Sequence, residues 1–196
     1  LHYKPNLMAS NLRTSKNTTI GVVIPELNHH FFASVLDGIE QTANDAGYNI
    51  LICQSSEQVE KEEQNIQMLL NSRVAGILVG ISKETIHLQH LQDIIDSGIP
   101  LVLYDRPCPS LLCDQVVSDD YAGAYNAVEY LIQTSCKRIM YFSTPMQLEV
   151  AHRRYQGWRD ALLHYGLSID KGAILTCDTR AQAIIETPNV MKGIEK

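Results

Sequence analysis

Ile20–Cys53 reads IGVVIPELNHHFFASVLDGIEQTANDAGYNILIC, and this stretch decides the fold. It opens within an apolar run, Thr19–Ile24, of the kind that suits a strand buried on both faces. Pro25–Asn28 breaks the run as a loop. From Phe31 to about Ala46 the period changes. Phe32, Val35, Leu36, Ile39 and Ala43 fall on one helical face, and Gly47 supplies the stop. Tyr48–Cys53 is strand again. Strand, helix and strand at this spacing form the unit from which parallel sheets are built.

The alternation continues downstream. Glu60–Asn71 reads as a helix with Ile66, Leu69 and Leu70 inward, and Ala75–Val79 as a strand. Ile86–Ser97 is a helix ended by Gly98, and Pro100–Tyr104 a strand. Gln115–Ser118 is a short strand running into Asp119-Asp120. Ala122–Ile132 is a helix, Arg138–Phe142 a strand, Arg153–Tyr165 a helix stopped by Gly166, and Ala173–Cys177 a strand. Val190–Lys196, at the end, reads as part of a helix. The pattern predicts an α/β fold with a doubly wound parallel sheet. Ligands in such sheets sit beyond the carboxyl ends of the strands. Asn28–Phe31, Gln54–Ser56, Ser82, Asp105-Arg106 and Asp119-Asp120 occupy those positions.

The chain has 196 residues, 45% of them hydrophobic and 19% charged, enough for a sizeable core. No run approaches the ~18 apolar residues of a membrane helix, and no secretory pattern opens the chain, so no membrane partner is expected. Five cysteines without a CxxC pair read as reduced cytosolic thiols. No GxGxxG, phosphate-binding loop or GxSxG occurs, so neither a cofactor nor an enzyme activity is expected. His87 and His90 share a helix face, but no further ligand converges on them in sequence, and no metal is expected.

The first sixteen residues, LHYKPNLMASNLRTSK, contrast with the rest. They hold Lys4, Arg13 and Lys16 and no acid, so they are net +3 in a chain of net −6, leaving −9 for the remainder. A basic arm on an acidic body suits a polyanion. Pro5 fits the first position of a helix. Met8, Ala9 and Leu12 then share one face. A helix of about eight residues is marginal alone in water and needs a partner, a second copy of itself or a DNA groove.

The spacing Leu1, Tyr3, Pro5, Ala9, Leu12, Arg13, Thr14 resembles the hinge helix of the LacI/GalR family of transcription regulators. The IGVVIP, FF, GIE and GY elements of the opening stretch resemble the start of that family's effector core. The likeness runs to about Gly166. It implies a periplasmic-binding-protein-like fold of type I, with a hinge at 1–16 and an N-terminal effector subdomain at 17–113. A crossover and partial C-terminal subdomain would span 114–196. On that resemblance the second subdomain would be incomplete, with two strands before the given sequence ends. The start at Leu1, inside a motif, implies a longer natural protein.

The resemblance also implies a function. It points to a cytoplasmic, homodimeric regulator in which a sugar-like effector bridges the subdomains and controls operator binding. Leu12 would wedge into a base step, and Arg13, Lys16 and Lys4 would meet phosphates, on a helix shaped by Pro5 and Ala9. A helix-turn-helix head, not in this sequence, would read the bases. The effector would meet Asn28, His29, His30 and Phe31 at the tip of the first strand. Asp105, Asp119, Asp120 and Arg154 complete the candidate set, the last in HRRYQGW, which resembles the family's R-x-x-G-[FYW] pattern. A guanidinium offers a rigid fork of donors for vicinal hydroxyls, a carboxylate or a phosphate.

Plainer readings stand beside these. His29 and His30 are helix caps and Phe31 is core; one of Asp119 and Asp120 caps a helix; Asp105-Arg106 is an internal ion pair. The chain departs from the family at His30, usually Pro, at Ser135-Cys136, often Gly-His, and at Ala75-Gly76, often Asp-Gly. Two other classes compete: an extracytoplasmic sugar-binding protein of the same fold, and a doubly wound enzyme.

Overall fold

The computed structural model describes residues 17–146, 148–170 and 172–194. The hinge candidates Lys4, Pro5, Ala9, Leu12, Arg13 and Lys16 lie outside these.

The opening stretch forms β1 (Thr19–Ile24), α1 (His30–Asp45) and β2 (Asn49–Gln54). Next come α2 (Val59–Asn71), β3 (Gly76–Val79), α3 (Gln89–Asp96), β4 (Leu101–Tyr104) and β5 (Asp114–Val116). The five strands make one all-parallel sheet in the order β2-β1-β3-β4-β5. β1 lies inside it, with Val22 opposite both Ile52 and Leu78, and Val22, Val23 and Ile24 are buried. That is why the run is apolar without alternation. Each such fully buried side chain stabilises the fold by about 1.5–3 kcal/mol. Ile66 and Leu69 of α2 and Leu91 and Ile94 of α3 join Val23, Val79 and Leu103 in the main core. Ile24, Phe32 and Tyr104 form a second cluster with Val35 and Leu36.

The chain divides into two compact units after Val117. β5, read from sequence as part of the crossover, is thus the edge strand of the first sheet. It pairs with β4 without an intervening helix. From β5, the Gln115 side chain holds the connecting loop, accepting from the Cys108 N–H at 2.9 Å and donating to the Cys108 carbonyl at 2.8 Å. The second unit holds α4 (Asp120–Gln133), β6 (Tyr141–Ser143), α5 (Glu149–His164), β7 (Ile174–Thr176) and α6 (Arg180–Ile194). β6 and β7 are parallel. Val128, Trp158, Ala161 and Leu162 form its core. At Gly157, α5 comes so close to α4 that an added Cβ would overlap the Tyr121 carbonyl and stand 2.9 Å from Tyr125 N.

Several boundaries differ from the sequence reading, each for a local reason. The third helix starts at Gln89 rather than Ile86, because Ser82 and Thr85 are drawn to the Glu62 carboxylate first. The fifth starts at Glu149, four residues before Arg153, and an Arg153–Glu149 pair at 3.1 Å spans that added turn. The sixth, of which the sequence reading held only the end from Val190, starts at Arg180. Thr179 caps it, accepting from Gln182 N–H, while Gln182 reaches back to the Thr179 and Asp178 amides. This is a capping box, and Thr179 and Gln182 stand at its spacing. Pro188 lies inside that helix. The helix stops read at Gly47, Gly98 and Gly166 all have positive φ.

Candidate functional site

In the first unit the carboxyl ends of β1 to β4 share one edge of the sheet. β1 delivers Asn28, His29, His30 and Phe31 there, and all four are exposed. His29 is the N-cap of α1 but makes no side-chain capping bond. Phe31 is 41% exposed while its neighbour Phe32 is core, and their rings stand edge-on at 5.2 Å. The plain reading of Phe31 as core is therefore corrected: the period of α1 places Phe32 inward.

At the end of β4, Asp105 has φ 68 and Arg106 turns inward. Arg106 Nη1 and Nη2 each donate at 2.7 Å to the two carboxylate oxygens of Glu57, and Nη1 also donates to the Ile81 carbonyl at 2.5 Å. Arg106 Nε lies 3.9 Å from Asp105. Glu57 stands beyond β2 and Arg106 beyond β4, so the pair spans the carboxyl ends of β1 and β3. Ser56 and Glu57 are both left-handed, at φ 54 and 60, a strain held by these bonds. Burial raises the Glu57 carboxyl, but Arg106 and the Lys83 amide outweigh it and hold it below the usual range. Burial likewise lowers Arg106, and Glu57 more than restores it.

A second polar group lies just behind. Glu62 is fully buried and accepts from the Ser82 N–H at 2.5 Å, the Thr85 hydroxyl at 2.8 Å and His90 Nε2 at 2.8 Å. The Ser82 hydroxyl donates to that of Ser55 at 2.8 Å. His90 therefore serves this network, and His87 is exposed. Sequence reading missed Glu57 and Glu62. The one available signal was the placement of Glu57 directly after the Ser55-Ser56 end of a strand.

In the second unit the two adjacent aspartates separate in role. Asp119 caps α4, accepting from the Ala122 N–H at 3.0 Å. Asp120, 5% exposed, accepts from Arg154 Nε at 2.6 Å. Arg154 is half exposed, and its other nitrogens make no hydrogen bond among the described residues. The close helix contact at Gly157 holds the two residues in reach. Asp120 fixes the guanidinium in place and its terminal fork reaches solvent. Such a fork binds paired oxygens.

A sequence profile described as periplasmic binding proteins and sugar-binding domain of the LacI family matches residues 17–190. The chain belongs to this family. Its all-parallel α/β architecture is the type I periplasmic-binding-protein fold that the resemblance implied. Among LacI-family relatives, the transcriptional repressor PurR of Vibrio campbellii is 30% identical over 97% of this chain and 57% of that protein. The chain thus spans about half the length of the curated relatives it matches. A putative ribose operon repressor from Burkholderia thailandensis superposes with a TM-score of 0.77 at 27% identity, over 82% of this chain and 61% of that one. A LacI-type regulator from Alkaliphilus metalliredigens, solved with D-xylulofuranose, gives 0.75 at 26% identity over 91% and 64%. Among the described residues, no helix of this LacI-family chain is long and apolar enough to cross a membrane.

Proposed function

We propose that the chain is the effector core of a ligand-responsive transcription regulator, a cytoplasmic homodimer rather than an enzyme, which takes a small sugar-like effector. The observation that carries this reading is the half-exposed guanidinium of Arg154, held by the buried Asp120. Its terminal nitrogens have no hydrogen-bond acceptor among the described residues. Asn28, His29, His30 and Phe31 add exposed amide, imidazole and aromatic groups on the first unit, the set that suits a hydroxylated ring. Asp105 is a further contact, whereas Asp119 serves as a cap. The regulator names of the relatives and the sugar held by one of them support the same reading.

The effector acts by preferring one of two states of the core. The basic arm transmits that preference: paired with a second copy, it enters the minor groove through Leu12 while Arg13, Lys16 and Lys4 neutralise phosphates. Electrophoretic mobility shift of the intact natural protein on its own upstream DNA, with and without a sugar panel, tests the proposal. A shift that one sugar strengthens or abolishes is expected. A shift indifferent to every sugar, or none at all, contradicts it.

A further inference from the structure

We infer that Glu57 and Arg106 are positioning residues for effector binding: they fix the three loops that follow β2, β3 and β4 as one preformed rim, and through it hold Asp105 in place. The inference rests on the proposed function above, in which Asp105 is a contact. It adds how the first unit prepares that contact before any ligand arrives.

Arg106 has little left to offer a ligand. Its Nη1 and Nη2 donate to the two oxygens of Glu57 at 2.7 Å, Nη1 donates also to the Ile81 carbonyl, and Nε stands 3.9 Å from Asp105. The side chains of the pair are only 16% and 12% exposed. A planar fork closed on a carboxylate in this way fixes direction as well as distance. Glu57 follows β2, Arg106 follows β4, and the loop after β3 is gripped by both. Glu57 accepts the Lys83 N–H at 2.7 Å, while Arg106 takes the Ile81 carbonyl. Ser82 between them is held too, its N–H by Glu62 at 2.5 Å and its hydroxyl on Ser55 at 2.8 Å. Three successive residues thus each have a backbone group bonded to a side chain of another segment.

The backbone geometry is a second observation. Of the five described non-glycine residues with positive φ, three lie in this rim: Ser56 at φ 54, Glu57 at φ 60 and Asp105 at φ 68. Such conformations persist only where the surroundings over-determine them, and they cluster at binding sites. Asp105 directly precedes Arg106, and its own N–H donates to the Val116 carbonyl at 3.0 Å. The fork on Glu57 therefore sets where the Asp105 carboxylate stands. Without that fork the Lys83 amide loses its acceptor or Arg106 its anchor, and the strained turn at Asp105 relaxes.

Amide exchange and calorimetric titration of the intact natural protein test it, with D-ribose, D-xylose, D-fructose, D-glucose and D-galactose as probes. In wild type the Lys83 amide is expected to exchange slowly with or without sugar. Glu57→Gln keeps the shape and Arg106→Lys keeps the charge, but neither re-forms the fork. Both are expected to speed exchange at Lys83 about tenfold or more and to weaken the responding sugar about tenfold. Thermal melts report that each variant is folded. A double-mutant cycle separates positioning from plain stability. Asp105→Asn, which tolerates the left-handed turn, is expected to weaken binding in wild type but to change it little in a Glu57→Gln background. A merely structural role for Glu57 would leave the two losses additive. A fully additive cycle, an Asp105→Asn variant with wild-type affinity, or wild-type affinity in folded Glu57→Gln and Arg106→Lys overturns the inference and leaves the proposed function standing. Exchange at Lys83 slowed about tenfold by sugar in wild type also overturns it, since the rim would then form on binding. Wild type that binds none of the five sugars overturns the proposed function and this inference with it.

Discussion

Arg154 on α5 and Asp120 on α4 meet at 2.6 Å, Nε to Oδ1, with the acid buried and the base half in solvent. As a solvent-screened pair it contributes little to stability, under about 1 kcal/mol. Its value lies in orientation. Arg154→Ala is therefore expected to lower effector affinity by about 10- to 100-fold, the equivalent of lost hydrogen bonds to a charged group. The melting temperature should also fall, by the equivalent of about 1–3 kcal/mol, because the buried Asp120 carboxylate is left without that partner. A large loss of stability with affinity retained would make the pair structural.

Gly157 sets the approach of the two helices that carry the pair. A methyl group there meets the Tyr121 carbonyl and Tyr125 N, which are backbone and cannot step aside. Gly157→Ala should cost about 1–3 kcal/mol, the range for overpacking. Gly123, exposed on α4, gives the opposite sign, since a methyl group added there would have nothing within 4 Å. Gly123→Ala should be stabilising by about 0.5–1 kcal/mol. Urea denaturation of both variants reads the contrast, and a neutral Gly157→Ala would rule out the tight helix contact.

Glu57 makes stability depend on pH. Its carboxyl is held below the usual 4.5 when folded, because Arg106 and the Lys83 amide outweigh desolvation. A group lowered on folding contributes stability that is fully present above its unfolded value and is lost as pH falls through the folded one. The gap in unfolding free energy between wild type and Glu57→Gln should therefore be constant above about pH 5 and shrink below about pH 4.5. A gap that stays constant down to about pH 3 would show that the carboxylate is not the ionised partner of Arg106.

Glu62 is the anchor of the loop after β3. Glu62→Ala leaves the Ser82 amide, the Thr85 hydroxyl and His90 without their acceptor, at a cost of about 1–3 kcal/mol for each buried group left unpaired. A large drop in melting temperature is expected, with faster hydrogen exchange at the Ser82 amide. Unchanged exchange at Ser82 would mean that the network does not hold the loop.

Much of the fold is legible in the residues alone. Unbroken apolar runs such as Val22–Ile24 announce parallel strands, and the glycines at 47, 98 and 166 announce helix ends. Arg154 is legible because its distance from Gly157 is fixed on one helix. The Asp119-Asp120 step is legible as a pair, but which residue caps and which pairs depends on helix geometry that spacing alone leaves open. Glu57 and Glu62 are not legible, because their partners lie 49 and 28 residues away in sequence. Long-range polar pairing has no period to read. The early start of α6 is legible in principle, since Thr179 and Gln182 stand at capping-box spacing, but Pro188 masks the helix that follows.

The central claim is that Arg154 grips a sugar-like effector. Titration calorimetry of wild type, Arg154→Ala and the control Arg159→Ala, whose guanidinium pairs instead with Asp160, tests it most directly. The account predicts sugar binding that the first variant weakens by about 10- to 100-fold and the second keeps. Equal affinity in all three proteins would contradict it.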